Sequence, residues 1–175
     1  RALGITRAEL LAHPNAPVEP DRLQLVERLA ACRLRGKPLP YVLGEWEFYG
    51  YRLKVTPAVL IPRPETETLV DAALEAIPAD ARGLVVDVGT GSGAVAIALA
   101  GARPHLIVLA TDISEAAIAV ARENAARHGL GDRVEFYVGD LLLPVKDRIR
   151  QDTLRAVVAN LPYVPSAEAV KLAWE

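Results

Sequence analysis

The sequence contains no methionine, one cysteine, three histidines and only five asparagine and glutamine residues, and each shortage closes off a class of protein. A single cysteine, Cys32, cannot close an internal disulfide, so the fold does not rest on a covalent framework. His13, His105 and His128 are too scattered for metal-ligand spacing, and no metal is expected. No run approaches the roughly 18 consecutive apolar residues of a membrane span, and no basic stretch leads into an apolar signal core at the start. A soluble protein of the reducing cytoplasm, with no membrane contact, is the expectation. An excess of one charge is missing too: the formal net charge is −2 and the pI is near 6.0. That leaves no electrostatic footprint for nonspecific binding to DNA or RNA, and direct nucleic-acid contact is not expected. With Arg1 first and no Met anywhere, the sequence reads as part of a longer chain. The scarcity of Met, Asn and Gln fits either a heat-stable protein or a GC-rich genome.

What is present is a core. Of 175 residues, 51% are hydrophobic and 24% charged, enough for one compact domain plus an appendage. Residues 1–37 read as part of a small helical domain, with a short piece around Glu9, Leu10 and Leu11. A longer helix opens at Pro20 and Asp21, with Leu23, Val26, Leu29 and Leu34 at helical spacing, and Gly36 to Pro40 break it. Residues 38–66 read as linker and β-hairpin, turning near Gly50 between Trp46, Phe48 and Leu53, Val55. The hairpin either packs two domains together or touches substrate. After it, Pro62 and Pro64 stiffen an elbow that holds Arg63 extended before the next helix.

From residue 83 the pattern alternates: strand 84–88, helix 92–101, strand 106–111, helix 114–128, strand 133–138, strand 154–159. Such alternation predicts a mostly parallel sheet with helices on both faces, and places Val157 and Val158 in an interior strand. Only four strands are visible, so the C-terminal part of the sheet is expected to lie beyond Glu175.

The carboxyl ends of these strands carry the chemistry. Gly89, Thr90, Gly91, Ser92 and Gly93 let the chain turn tightly off a strand and bring backbone N–H groups to a ligand. With Ala94 the loop also meets the looser dinucleotide pattern, so a nicotinamide dehydrogenase stays open. Asp112, about 20 residues further on, is placed to accept ribose hydroxyls. It could instead cap the helix that follows, as Ser114 could. Asp140, with Leu141, is placed to meet an adenine amino group and wall the base, or is an ordinary loop acid. The fourth strand ends in Asn160, Leu161, Pro162, Tyr163. There the Asn160 side-chain oxygen and the Leu161 carbonyl can grip both hydrogens of a planar NH₂ group while Tyr163 packs on it. In open parallel sheets ligands sit at this edge, so the four features converge on a methyl donor beside a planar nitrogen acceptor. The tetrapeptide could also be a plain proline turn after a core strand.

The run Leu60, Ile61, Pro62, Arg63, Pro64, Glu65, Thr66, Glu67, with Asp87 to Gly93, Asp112 and the Asn160 turn, resembles the glutamine-N5 methyltransferases that modify peptide-chain release factors. The resemblance implies a Rossmann-like class I S-adenosylmethionine-dependent methyltransferase fold over residues 67–175, with the helical N-terminal domain and hairpin before it. It implies S-adenosyl-L-methionine as donor, S-adenosyl-L-homocysteine as product, and Gly89 to Gly93, Asp112, Asp140, Leu141 and Asn160 at the donor. The acceptor implied is the glutamine of a Gly-Gly-Gln loop, held by Asn160, Leu161, Pro162 and Tyr163, with Arg63 also on the substrate side and the enzyme acting as a monomer. The family usually has Pro where this chain has Leu161. A ribosomal-protein glutamine methyltransferase, an adenine-N6 nucleic-acid methyltransferase and a noncatalytic donor-binding module remain alternatives.

Overall fold

The computed structural model describes residues 3–161. Two compact units are present, the first running to Leu43 and the second starting at Gly44. In the first, helix α1 (Arg7–Ala12) opens on a capping box: the Thr6 hydroxyl accepts from the Glu9 N–H while the Glu9 carboxylate accepts from the Thr6 N–H. Each partner satisfies a donor the helix start would otherwise leave unpaired. Helix α2 (Pro20–Leu34) starts at Pro20, where the missing N–H costs nothing. A third helix, α3 (Leu39–Leu43), stands where Pro38 and Pro40 were expected only to break the chain. Pro40 falls in its first turn, the one place a helix tolerates proline.

The second unit opens with the antiparallel hairpin β1 (Glu45–Phe48) and β2 (Tyr51–Lys54). Tyr49 and Gly50 form its two-residue turn with φ of +48° and +76°. Both central residues need left-handed backbone there, which glycine supplies freely and tyrosine does not. Helix α4 (Glu65–Ala76) holds Tyr49 in place: Glu67 accepts from the Tyr49 N–H at 2.7 Å and Asp71 from its hydroxyl at 2.8 Å. Phe48 and Leu53 are buried in the main core, so the hairpin is part of this unit's packing.

Then follow β3 (Gly83–Val88), α5 (Ala94–Ala102), β4 (Leu106–Asp112), α6 (Glu115–Arg127), β5 (Val134–Val138) and β6 (Leu154–Ala159). The strands are all parallel, in the order β5-β4-β3-β6. From β3 the chain steps outward to β4 and β5, then returns to the opposite side as β6. The switch point lies between β3 and β6, and such a crevice is where open α/β sheets hold ligands. Val85, Leu106, Val108, Ala110 and Val158 pack on α4 and α5 on one face. α5 is buried from Ala94 to Ala100, which its alanine-rich sequence allows.

On the other face Val86, Val88 and Leu109 meet Val145, from a 3-10 turn at Leu143–Arg148, with Ile149 just after it packing on the same cluster. Helices on both faces were expected; among the described residues the α-helices cover one. Val158 is buried and Val157 is 46% exposed on β6, which is the edge strand among the described residues. No helix among those residues is long and apolar enough to cross a membrane.

Two local features matter later. Leu84 pairs with Leu154 but Val85 pairs with Ala156, so Arg155 is a surplus residue bulging from β6. Thr111 is fully buried, and its hydroxyl has no hydrogen-bond partner among the described residues. Because an orphaned buried hydroxyl carries a desolvation penalty, Thr111→Val is expected to raise stability by about 1 kcal/mol. A lower denaturant midpoint in the variant would contradict this.

Candidate functional site

The site grows from the end of β3. Asp87 is only 2% exposed, and its Oδ2 accepts from the Thr90 hydroxyl at 2.7 Å and the Ala96 N–H at 3.2 Å. The loop above it folds back on β4: the N–H groups of Gly89 and Thr90 both donate to the Thr111 carbonyl at 2.9 Å. Gly93 closes the turn by donating to the Thr90 carbonyl at 2.8 Å. Ser92 is buried, and its carbonyl accepts from Nδ2 of Asn124 on α6 at 2.9 Å.

Asp112 is tied to the same loop. Its Oδ2 accepts from the Gly91 N–H and its Oδ1 from the Ser114 N–H, each at 2.9 Å. Helix α6 is capped by Ser114, whose hydroxyl accepts from the Ala117 N–H at 3.2 Å. Asp112 is therefore not the cap. A carboxylate offers about four lone-pair sites, so two accepted bonds leave room for a ligand's hydroxyls. One strand over, the Gly139 N–H donates to the Asp112 carbonyl at 2.9 Å, and Asp140 follows, exposed. Leu141 has φ +47° and is 51% exposed; Ile113, next to Asp112, is 77% exposed. Two large aliphatic side chains thus stand open beside two acids at neighbouring strand ends.

The amide turn meets the glycine loop directly. Gly89 has φ +72°, and a Cβ there would lie 2.7 Å from Cδ2 of Leu161. Half-buried Asn160 donates from Nδ2 to the Thr66 hydroxyl at 3.0 Å, and Thr66 is 8% exposed in the first turn of α4. Arg63 stands exposed just before that helix. The structure thus gathers Gly89, Thr90, Gly91, Ser92, Gly93, Asp112 and the Asn160–Leu161 turn at the switch point. Asp140 and Leu141 end β5, two strands from β3. Pro162 and Tyr163 lie outside the described residues.

Thr66, Asp87, Ile113 and Asn124 are contributors that the sequence did not assign. Asn124 had a readable signal, since it falls on the buried stripe of Ala117, Ala121 and Ala125, where a polar residue must find partners. Burial pushes the Asp87 carboxyl up from an ordinary 3.8 to about 6, with a smaller push from the nearby Asp112 carboxylate. Between those values the folded state holds a proton that the unfolded chain has released. Stability from this group is therefore fully present below pH 3.8 and lost as pH rises through about 6. Both of its hydrogen bonds reach Oδ2, so an amide oxygen can accept them equally. Asp87→Asn is expected to remove a pH slope on the order of 2 kcal/mol, read as the difference between variant and wild type in denaturant unfolding at pH 4 and pH 7. Equal slopes in the two proteins would refute the assignment.

A parallel α/β sheet with a glycine loop, a tethered acid and an amide turn at its switch point defines the Rossmann-like methyltransferase class. The chain belongs to the methyltransferase small-domain family, whose model matches residues 66–175, and residues 1–44 match the PrmC N-terminal domain. It is 47% identical over 169 residues to the release factor glutamine methyltransferase of Bordetella pertussis, covering 95% of this chain and 60% of that protein. The enzyme of the same name from Moorella thermoacetica is 46% identical over 170 residues, 95% of this chain and 57% of that one. The chain spans about three fifths of the length of such relatives, by the 60% and 57% just given. Among solved structures, a ribosomal protein L11 methylase from Lactobacillus delbrueckii subsp. bulgaricus shares 33% identity over 57% of this chain and 47% of its own, at a TM-score of 0.46.

Proposed function

We propose that this chain carries the donor and acceptor pockets for S-adenosylmethionine-dependent N5-methylation of the glutamine in the Gly-Gly-Gln loop of peptide-chain release factors. The observation that supports it most is the contact of Leu161 with Gly89, which puts an amide turn against a donor-type loop. The relatives' name points to the same acceptor.

The residues fit the donor. Gly89 to Gly93 offer backbone at the turn off β3, Asp112 keeps acceptor capacity for ribose hydroxyls, and Ile113 and Leu141 supply apolar surface for a base whose amino group Asp140 can meet. When bound, the cofactor supplies an electrophilic sulfonium methyl group and leaves as S-adenosylhomocysteine. On the acceptor side, the Asn160 Oδ1 and the Leu161 carbonyl take the two N–H hydrogens of the glutamine amide. That nitrogen is a poor nucleophile because its lone pair is delocalised. Holding it in line and drawing on both N–H bonds is the chain's contribution to rate. Pro162 and Tyr163 belong to the same turn by sequence, and Arg63 is the candidate contact to the release-factor protein. Such a substrate places the enzyme in the cytoplasm.

The test is mass spectrometry of a release factor after incubation with the full chain and donor, with a ribosomal protein and DNA in parallel and Asn160→Ala as control. The expected result is one added methyl group on the Gly-Gly-Gln glutamine, absent with the variant. Transfer to DNA alone, or to the ribosomal protein alone, would overturn the acceptor assignment.

A further inference from the structure

Resting on the donor reading above, we propose that Arg148 is a positioning residue: its clasp with Glu135 and Tyr137 holds the turn at Asp140 and Leu141 where Asp140 can read the amino group of the donor's base. Asp140 stands exposed on a loop, and a loop acid must be ordered before it can tell one base from another. The chain orders it from a distance. After β5 the segment 139–148 leaves the strand at its carboxyl end, runs back over the second face of the sheet and finishes beside Glu135 and Tyr137 of the same strand.

Nη1 of Arg148 donates to Glu135 Oε2 at 2.8 Å and Nη2 to Oε1 at 3.0 Å, the two-pronged fit of a planar guanidinium on a carboxylate. Nη1 also donates to the Tyr137 hydroxyl at 2.7 Å, and that hydroxyl donates to Glu135 Oε2 at 2.6 Å, so the clasp closes as a ring. The bond from Arg148, helped by that from Tyr137, holds the Glu135 carboxyl below the usual carboxylate range and keeps it charged. Glu135 and Tyr137 stand in register with Leu109 and Thr111, which puts them on the second face, where Val145 of the segment is fully buried against Val86, Val88 and Leu109. At the start of the segment Gly139 lies so close to Pro144 that no side chain would fit between them. The Leu143 N–H closes the turn on the Asp140 carbonyl at 3.0 Å. Within it Leu141 is kept in left-handed backbone, φ +47°, which a leucine adopts only where its surroundings impose it. The strain thus sits in the residue next to Asp140, and the clasp is the far end of the strap that maintains it.

The pair is half-exposed, so its loss should barely change stability while it changes base recognition. The test titrates the full chain with S-adenosylhomocysteine and, in parallel, with its purine analogue, in which hydrogen replaces the amino group. Wild type is expected to prefer the adenine form. Arg148→Leu should cut that preference about 10-fold, the scale of one hydrogen bond to a charged group, with the purine form bound within about threefold of wild type. Arg148→Lys, which keeps one charged donor, should fall between the two, and it stands in for the leucine variant if that does not fold. On an Asp140→Ala background Arg148→Leu should not alter the preference further, because two residues that act through one contact are not additive. An unchanged preference in Arg148→Leu, equal weakening of both ligands, or a further loss of preference on the Asp140→Ala background would each overturn the proposal. If wild type binds the two ligands alike, the donor reading of Asp140 falls by itself, and hydrogen exchange at the Leu141 and Leu142 amides decides the clasp: no faster in Arg148→Leu than in wild type, it overturns the positioning.

Discussion

Replacing Asn124 by leucine is expected to lower the free energy of unfolding by about 3 kcal/mol, although the two side chains are close in size. Asn124 is fully buried and serves two elements at once. Its Oδ1 accepts from the Lys54 N–H at 2.7 Å, and its Nδ2 donates to the Lys54 carbonyl at 3.0 Å and the Ser92 carbonyl at 2.9 Å. Leucine leaves all three backbone groups without their partner, and each such loss costs about 1–3 kcal/mol, less where water can reach. Lys54 is only partly buried, which holds the sum toward the low end. Because Ser92 is in the glycine loop, donor affinity should fall with stability. Denaturant unfolding and donor titration on the same variant check both; a stability loss under about 1 kcal/mol would mean that water replaces the amide.

The second large effect is expected in donor binding. Asp112→Ala should weaken binding of S-adenosylmethionine about 100-fold in titration calorimetry. In wild type the carboxylate both orders the loop through Gly91 and offers the acceptor sites assigned to the ribose. Hydrogen bonds to a charged group contribute about 1.5–3 kcal/mol each, and 1.4 kcal/mol is tenfold, so loss of one or two spans that figure. Asp112→Asn keeps one acceptor oxygen and should fall between the two. Unchanged affinity in Asp112→Ala would place the ribose elsewhere.

The parts of the fold legible from sequence are those where one local rule dominates. Helix spacing located α2, Gly50 marked the hairpin, and alternation of apolar runs with helices gave the parallel strands within a residue or two. The helix α3 was not legible, because Pro38 and Pro40 signal a stop equally well when one of them sits in a first turn. Nor was the open second face, because alternation of strands and helices does not say which face each helix covers. In the site, the glycine loop and its acid were visible because backbone constraint and charge leave marks on residue type. Thr66 left none. A threonine after two prolines reads as a helix start, and only the folded chain, which brings it to Asn160 across the unit, gives its hydroxyl a task.

The surplus residue in β6 sets the phase of the amide turn. In an unbroken strand Leu154 and Asn160, an even number of residues apart, would point to the same side of the sheet. With Arg155 bulged out, Leu154 joins Val86 and Val88 on one face, while Ala156, Val158 and Asn160 take the side of α4, where Thr66 waits. The strand therefore has slack for one lost residue: deleting Arg155 closes the bulge, leaves every later residue paired as before and keeps Asn160 facing α4. Parity, counted from a single bulge, decides which face of the sheet Asn160 takes.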